Sequence, residues 1–272
     1  IGILRKSLNF ARLSDGRYDP SAAPLYEHWK NALSQQAQPE RSQVHSLLEQ
    51  VNFRKISLNV GMRQVFIPDE GVQVSMQPGL NGYIVDRTAE LFQQNKVVDI
   101  CISRGIVRRV VNGSSHYTYP KEILYADADM RNQPVLTLRN LKARSLVTLY
   151  TAKHLLINLT SGFPVKNGLV CLVSIGPEAY AAEVLAYTVA AGELFSGIAL
   201  VEEMPFFEVL CITEDQAIIC TSGFEPYLDE INSEYSLHVY DPRVEEDIQN
   251  ERIANFRPLV SFGTAVGKNI LR

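Results

Sequence analysis

The stretch GLVCLVSIGPEAYAAEVL, Gly168 to Leu185, runs an apolar strand straight into a helix that opens around Pro177. LVCLVSI is a continuous apolar run of strand length, which predicts a strand buried on both faces. Pro177 suits a first helical position, where its missing N–H would have had no partner. Glu178 beside it sits favourably against the helix dipole. Tyr180, Val184, Tyr187, Ala191 and Leu194 then recur at helical spacing. A strand-turn-helix join of this kind often holds a phosphate, but the glycines argue against it here. SIGPEA supplies one Gly ahead of the helix, with neither G-x-G-x-x-G nor G-K-S/T. Pro177 also removes one of the N–H groups that a phosphate would need. The join reads as architecture.

Upstream of it, Leu138, Leu141, Leu149, Ala152 and Leu156 keep helical spacing, which predicts a long helix from about Val135 to Leu159, stopped by Gly162 and Pro164. Residues 51–85 read as strands broken by turns (ISLNV, VFIPDEGVQVSM, PGLNGYIV), which predicts a protruding two-stranded loop. VVDICI reads as a buried strand. The first fifty residues are polar, with two short amphipathic helices expected around Leu25–Leu33 and Val44–Val51. They read as an arm that finds its partners outside its own domain. Downstream, SGIALVEE and FFEVLCIT read as strands, AIICTS completes a hairpin around EDQ, and RVEEDIQNERI is a short helix before the terminal strands RPLVSFGTAV and NILR.

The chain has 272 residues, 46% hydrophobic and 21% charged, which is ample for a buried core. No run of about 18 apolar residues is present, so no helical membrane span is expected. The net charge of −4 lacks the basic excess of a protein that grips nucleic acid by its phosphates. Two basic clusters, RGIVRR (Arg104, Arg108, Arg109) and RNLKAR (Arg139, Lys142, Arg144), read as solvated faces or salt-bridging surfaces. Cys101, Cys171, Cys211 and Cys220 each lie in an apolar stretch without metal spacing and read as reduced, buried thiols. Cys211 and Cys220 would sit near each other across the hairpin.

The sharpest enzymatic pattern is ILYADADM. Asp127 and Asp129 alternate after an apolar run, as carboxylates sharing a Mg²⁺ do in nucleotidyl- and glycosyltransferases, with Gly113-Ser114 upstream. QPVLTLRN, where a third carboxylate would belong, offers none. The histidines His28, His45, His116, His154 and His238 are scattered, and His154 reads as a structural residue. No catalytic, cofactor-binding or metal-binding residue is assigned from the sequence, and no cofactor.

The element order, carried by "PEAYAAEVL", "GIALVEEMPFFEVL" and "ERIANFRPLVSFGTAVGKNIL", resembles the major capsid proteins of tailed bacteriophages, the Hong Kong 97-type fold shared with encapsulin shells. The resemblance implies an α+β fold. Its parts would be an N-terminal arm (1–50), an extended loop with the first strands of a peripheral domain (51–130), a spine helix (131–163), and an axial domain with a mixed sheet plus closing strands (164–272). It implies a structural protein and no enzyme: a homo-oligomer self-assembling as hexamers and pentamers into an icosahedral shell, the bacteriophage head, around double-stranded DNA that it does not bind sequence-specifically. Scaffolding, portal or decoration proteins would be its partners, no membrane would be involved, and its place would be the virion, assembled in the host cytoplasm. A chain opening on Ile1 would fit proteolytic maturation. Trp29, Val65 and Phe66 would make intersubunit contacts. The alternatives are an encapsulin-like cargo nanocompartment and the Mg²⁺-dependent transferase using Asp127 and Asp129.

Overall fold

A computed structural model describes residues 1–69, 71–97, 99–111, 122–125, 134–241 and 256–258. Along the chain come α1 (Gly2–Leu13), α2 (Ala23–Ser34), α3 (Arg41–Leu48), β1 (Ser57–Asn59), β2 (Gln64–Phe66) and α4 (Leu80–Gln94). Next are β3 (Ile100–Arg104), β4 (Val107–Val111), β5 (Glu122–Tyr125), β6 (Pro134–Leu138), β7 (Ser145–Tyr150), β8 (Ile157–Asn158) and β9 (Phe163–Pro164). The last are β10 (Leu169–Gly176), α5 (Ala179–Ala190), α6 (Leu194–Glu202), β11 (Glu208–Thr213), β12 (Ala217–Cys220), β13 (Leu228–Ile231), β14 (Ser236–Tyr240) and β15 (Phe256–Pro258).

β10 is the opening apolar run, and it lies inside an eight-stranded sheet of order β15-β14-β12-β11-β10-β7-β4-β3. Among the described strands of this sheet only the β12–β14 pairing is parallel; β10 runs antiparallel to both β7 and β11. The run is apolar apart from the buried Ser174 because both faces are covered. Leu172 enters the core under the helices, whereas Cys171, Val173 and Ile175 enter a second core shared with a small sheet, β13-β6-β5. β11 alternates in the same way, Val209 and Cys211 to one side and Leu210 and Ile212 to the other.

α5 packs on the helical side of this sheet, and every one of its residues except Tyr187 is buried. A helix covered all round needs no polar stripe. α4 crosses it with the face Gly82, Val85, Asp86, Ala89, the i, i+3, i+4, i+7 positions of a helix. Gly82 is required at the crossing, because a Cβ there would stand 2.3 Å from the carbonyl oxygen of Ala179. Gly79, the N-cap of α4, has φ 115, and its missing side chain leaves room for the Tyr180 ring.

The join at Pro177 holds no room for a phosphate. The first two N–H groups of α5, from Ala179 and Tyr180, each donate to a carboxylate oxygen of Asp86 at 2.9 Å. Asp86 is in turn paired with Arg109 of β4. A fixed internal anion from α4 thus closes this helix end.

The Hong Kong 97-type architecture is not what the chain adopts. The expected spine helix is instead β6, β7 and β8, because Leu136, Leu138, Val147 and Leu149 work as alternating strand positions, and Asn140 (φ 57) and Ala143 (φ 54) turn the chain between them. The supposed arm folds back on its own body. α1 buries Leu4, Leu8 and Ala11 against the core of α5, and α2 and α3 form a cluster with β8 around Leu25, Trp29, Val44 and Ile157. Trp29, expected to meet another subunit, stacks edge-on to Phe163 at 5.7 Å and donates from Nε1 to the Gly162 carbonyl at 2.8 Å.

Of the protruding loop, only the β1–β2 hairpin stands clear, with Val65 and Phe66 exposed. PGLNGYIV is the start of α4, and SGIALVEE is mostly α6. VVDICI gives β3, a half-exposed edge strand rather than a buried one. Residues 242–255 and 259–272, expected to carry a helix and most of the closing strands, lie outside the described residues; between them only β15 is described.

Candidate functional site

The described part of the chain has a cleft of about 290 Å³ between the start of α2, the segment 75–81, the turn after β7 and one side of α5. Each wall is fixed by a bond the sequence supplies locally. Asp19 carries the α1–α2 connection: its Oδ1 accepts from the N–H and hydroxyl of Ser21 at 2.8 and 2.6 Å, and its Oδ2 accepts from the Phe53 N–H at 2.9 Å. With three donors on it, this carboxylate is committed to architecture. It sets the direction of α2, whose first turn contains Pro24 and presents Tyr26 to the cleft. Burial pushes the Tyr26 phenol up to about 12, so it is a neutral wall at physiological pH.

Glu183 and Tyr187 come from α5, one turn apart and therefore on one face. The Glu183 carboxylate accepts from the Gly82 N–H at 2.7 Å and from the Asn81 amide at 3.2 Å. Burial still raises its carboxyl above the ordinary range, the two donors opposing that shift. Tyr187, the only residue of α5 that is not buried, lies in the cleft wall; burial raises its phenol, and the Glu183 charge adds to the rise. Opposite it stands His154, in the extended residue that follows the short helical turn Thr151–Lys153. Its Nδ1 lies 2.9 Å from the Tyr187 hydroxyl, and the two rings meet edge to face at 5.5 Å. Burial lowers the imidazole's affinity for a proton, so His154 is neutral at pH 7. Lys30 and Lys153 complete the wall with cationic groups, and Arg17 stands at one end.

This arrangement can receive an anionic, partly aromatic ligand. Phenol and imidazole surfaces offer planar contact, the ammonium groups offer charge-assisted bonds to phosphate or carboxylate, and the neutral His154 can exchange a proton with a ligand. Among the described residues, no group of three His, Cys, Asp or Glu side chains is placed to hold a metal ion.

The residues singled out by sequence are mostly elsewhere. Asp127, Asp129, Gly113, Ser114 and His116 lie outside the described residues. His28, His45 and His238 are not in the cleft, and His154, read as structural, is. The basic clusters are engaged within the chain: Arg104 with Asn81, Arg109 with Asp86, Arg139 with Asp229, and Arg144 with the Tyr227 hydroxyl. The described thiols are free, Cys101 is exposed rather than buried, and Cys211 and Cys220 are offset, with Ile219 and Leu210 as their respective cross-strand partners. Sequence reasoning missed Tyr26, Asn81, Glu183 and Tyr187. The available signal was Glu183, one carboxylate in an otherwise apolar helix, which a buried helix tolerates only where donors meet it.

Comparison with known proteins follows the same segment. A sequence model of the ApbE family matches residues 1–211. The FAD:protein FMN transferase of Klebsiella pneumoniae (strain 342) is 19% identical over 233 residues, spanning 82% of this chain and 72% of that protein. Among solved structures, the flavin transferase ApbE from Vibrio cholerae superposes with a TM-score of 0.71 at 15% identity, over 84% of this chain and 76% of that one. The ApbE protein from Thermotoga maritima gives the same TM-score at 16% identity, over 84% and 77%. These matches overturn the shell reading in each of its parts: capsid or nanocompartment function, absence of enzymatic activity, partnership with sister copies around DNA, and a place in the virion. They equally displace the nucleotidyl- or glycosyltransferase built on Asp127 and Asp129. The misleading cue was element order, which unrelated folds share when chains alternate short strands and helices.

Proposed function

The chain belongs to the ApbE family, and on that premise we propose that it is a flavin transferase, taking FMN from FAD and attaching it to another protein. FAD is FMN joined to AMP through a diphosphate. A nucleophilic hydroxyl of the acceptor protein attacks the flavin-side phosphorus, the bond from that phosphorus to the bridging oxygen breaks, and AMP leaves with the electron pair. The acceptor's proton must go to a base.

The observation that carries this reading is the pairing of His154 with Tyr187 inside the cleft of the family-matching segment. In the tautomer that carries its proton on Nδ1, facing the Tyr187 oxygen 2.9 Å away, His154 has an unprotonated Nε2, and this reading assigns that atom to receive the acceptor's proton. Lys30 and Lys153 bind phosphate oxygens and stabilise the charge that gathers on them as the bond breaks. Tyr26 and Tyr187 supply flat apolar surface for the isoalloxazine. The carboxylates Asp19 and Glu183 are held off the phosphates by the donors they already accept.

The test incubates the purified protein with FAD and a soluble protein extract as acceptor pool. Released AMP is measured by chromatography, and covalent flavin by in-gel fluorescence after denaturation. The expected result is coupled AMP release and flavin labelling, lowered on the order of a hundredfold or more in His154→Ala. Absence of FAD binding, or AMP release indifferent to His154→Ala, refutes the assignment.

A further inference from the structure

Arg17 stands where two cavities meet. A smaller chamber of about 160 Å³ adjoins the main cleft of about 290 Å³, and the two share Arg17, Leu159 and Ala191 as lining. Arg17 follows the turn that leaves α1, in which Asp15 and Gly16 take positive φ (47 and 80). Its Nη1 donates to the Ser196 carbonyl at 3.1 Å, on the small-chamber side. A guanidinium has five N–H donors in a fixed fork. One is spent on this anchor, which tethers the group at the junction. Lys30 and Lys153 line the larger chamber and not the smaller.

The two chambers differ in chemistry as well as in size. The larger has the phenols of Tyr26 and Tyr187 and the imidazole of His154. The smaller is hydrogen-bonding: Asn158, Thr160, Glu193 and Ser196 line it. Asn158 Oδ1 already accepts from the Thr160 and Ser161 N–H groups at 2.8 and 3.2 Å, so its amide NH₂ is the part left to donate. The Glu193 carboxylate accepts readily from ribose hydroxyls or an adenine amino group, and it repels a phosphate from this chamber's interior.

We infer that Arg17 holds the diphosphate of FAD at the junction, with the flavin half in the larger chamber and the adenosine half in the smaller. The inference rests on the flavin-transferase reading and adds to it the place of the bond that breaks. An unequal pair of ring systems joined by a dianion meets an unequal pair of chambers joined by a cation. Arg17 thereby also faces the phosphate of the departing AMP, where a fixed guanidinium stabilises the leaving group.

Isothermal titration of FAD, ADP and riboflavin into the wild type, Arg17→Gln and Thr160→Trp tests it. Arg17→Gln should weaken FAD and ADP about tenfold or more while leaving riboflavin within about twofold. Thr160→Trp, which fills the small chamber from an exposed position, should weaken the same two ligands and spare riboflavin, and it keeps the test open if Arg17→Gln fails to fold. Wild type that binds no FAD overturns the flavin reading itself, and this inference with it. Wild type that binds FAD with Arg17→Gln equally tight overturns the Arg17 assignment alone, as does a loss shared equally by riboflavin.

Discussion

Asp86 is the residue whose removal the fold should tolerate least for its size. Its side chain is 10% exposed and that of its partner Arg109 is 21% exposed. Asp86→Ala strips the acceptors from two N–H groups at the start of α5, each in a buried setting, and leaves the Arg109 guanidinium without its carboxylate. An ordinary helix cap is worth about 0.5–2 kcal/mol. Orphaning a buried donor costs about 1–3 kcal/mol, and breaking a buried pair from one side costs about 3–5 kcal/mol. These overlap, so the expected loss is about 4 kcal/mol, well above a surface cap. Asp86→Asn keeps one carbonyl acceptor but turns an NH₂ toward a donor, and should lose about 2 kcal/mol. Adding Arg109→Met to Asp86→Ala removes the stranded cation and should recover about 1 kcal/mol. Urea unfolding followed by far-UV circular dichroism and by Trp29, the single tryptophan, measures all three. A loss below about 1 kcal/mol for Asp86→Ala, or no recovery in the double variant, would show that the helix end is satisfied by something other than this carboxylate.

Gly82→Ala puts a methyl 2.3 Å from the Ala179 carbonyl oxygen, a contact with main chain that no rotamer relieves; it should cost about 3 kcal/mol or yield insoluble protein, and a normal denaturation midpoint would refute the crossing geometry. Glu183 has a carboxyl raised by burial from an ordinary value of 4.5, so the folded chain holds its proton more tightly than the unfolded one. Its contribution to stability is full below pH 4.5 and is lost as pH rises through the raised value. Glu183→Gln should therefore flatten stability against pH above 4.5, and parallel curves for the two proteins would sink the point. His154 is shifted the other way, lowered from 6.5 by burial. The acid limb of kcat/KM for FMN transfer should accordingly fall below pH 6.5; a limb above 6.5 would exclude this imidazole as the base.

How much could be read in advance differs from element to element, for physical reasons. β10, β11 and β12 were legible because a sheet buried on both faces imposes strongly apolar runs, and Leu169–Gly176 is one, broken only by Ser174. α4 was not, because its buried face is Gly82, Val85, Asp86 and Ala89: it packs through a glycine and a hydrogen-bonded carboxylate, leaving no apolar stripe to find. β6 and β7 misled in the opposite sense. Leucines at 138, 141, 149 and 156 mimic a helix until the turn at Asn140 and Ala143 is known. α1 looked too polar to fold at home, yet Leu4, Leu8 and Ala11 are the one stripe it needs. The cleft was the least legible part. His154 and Tyr187 lie 33 residues apart and meet only because β10 returns the chain past the end of β7, a long-range fact that no local pattern encodes.

The clamp at the start of α5 has a bearing on ligand capture. The Gly82 backbone touches the first turn of α5, Asp86 pins that turn to β4 through Arg109, and Asn81 and Glu183 join the same two helices beside the cleft. A wall so braced is preformed before any guest arrives, sparing the roughly 0.5–1.5 kcal/mol per side chain that freezing a loose pocket consumes. Association should then be a single fast phase whose observed rate climbs in proportion to ligand concentration, with no plateau from a slow opening step.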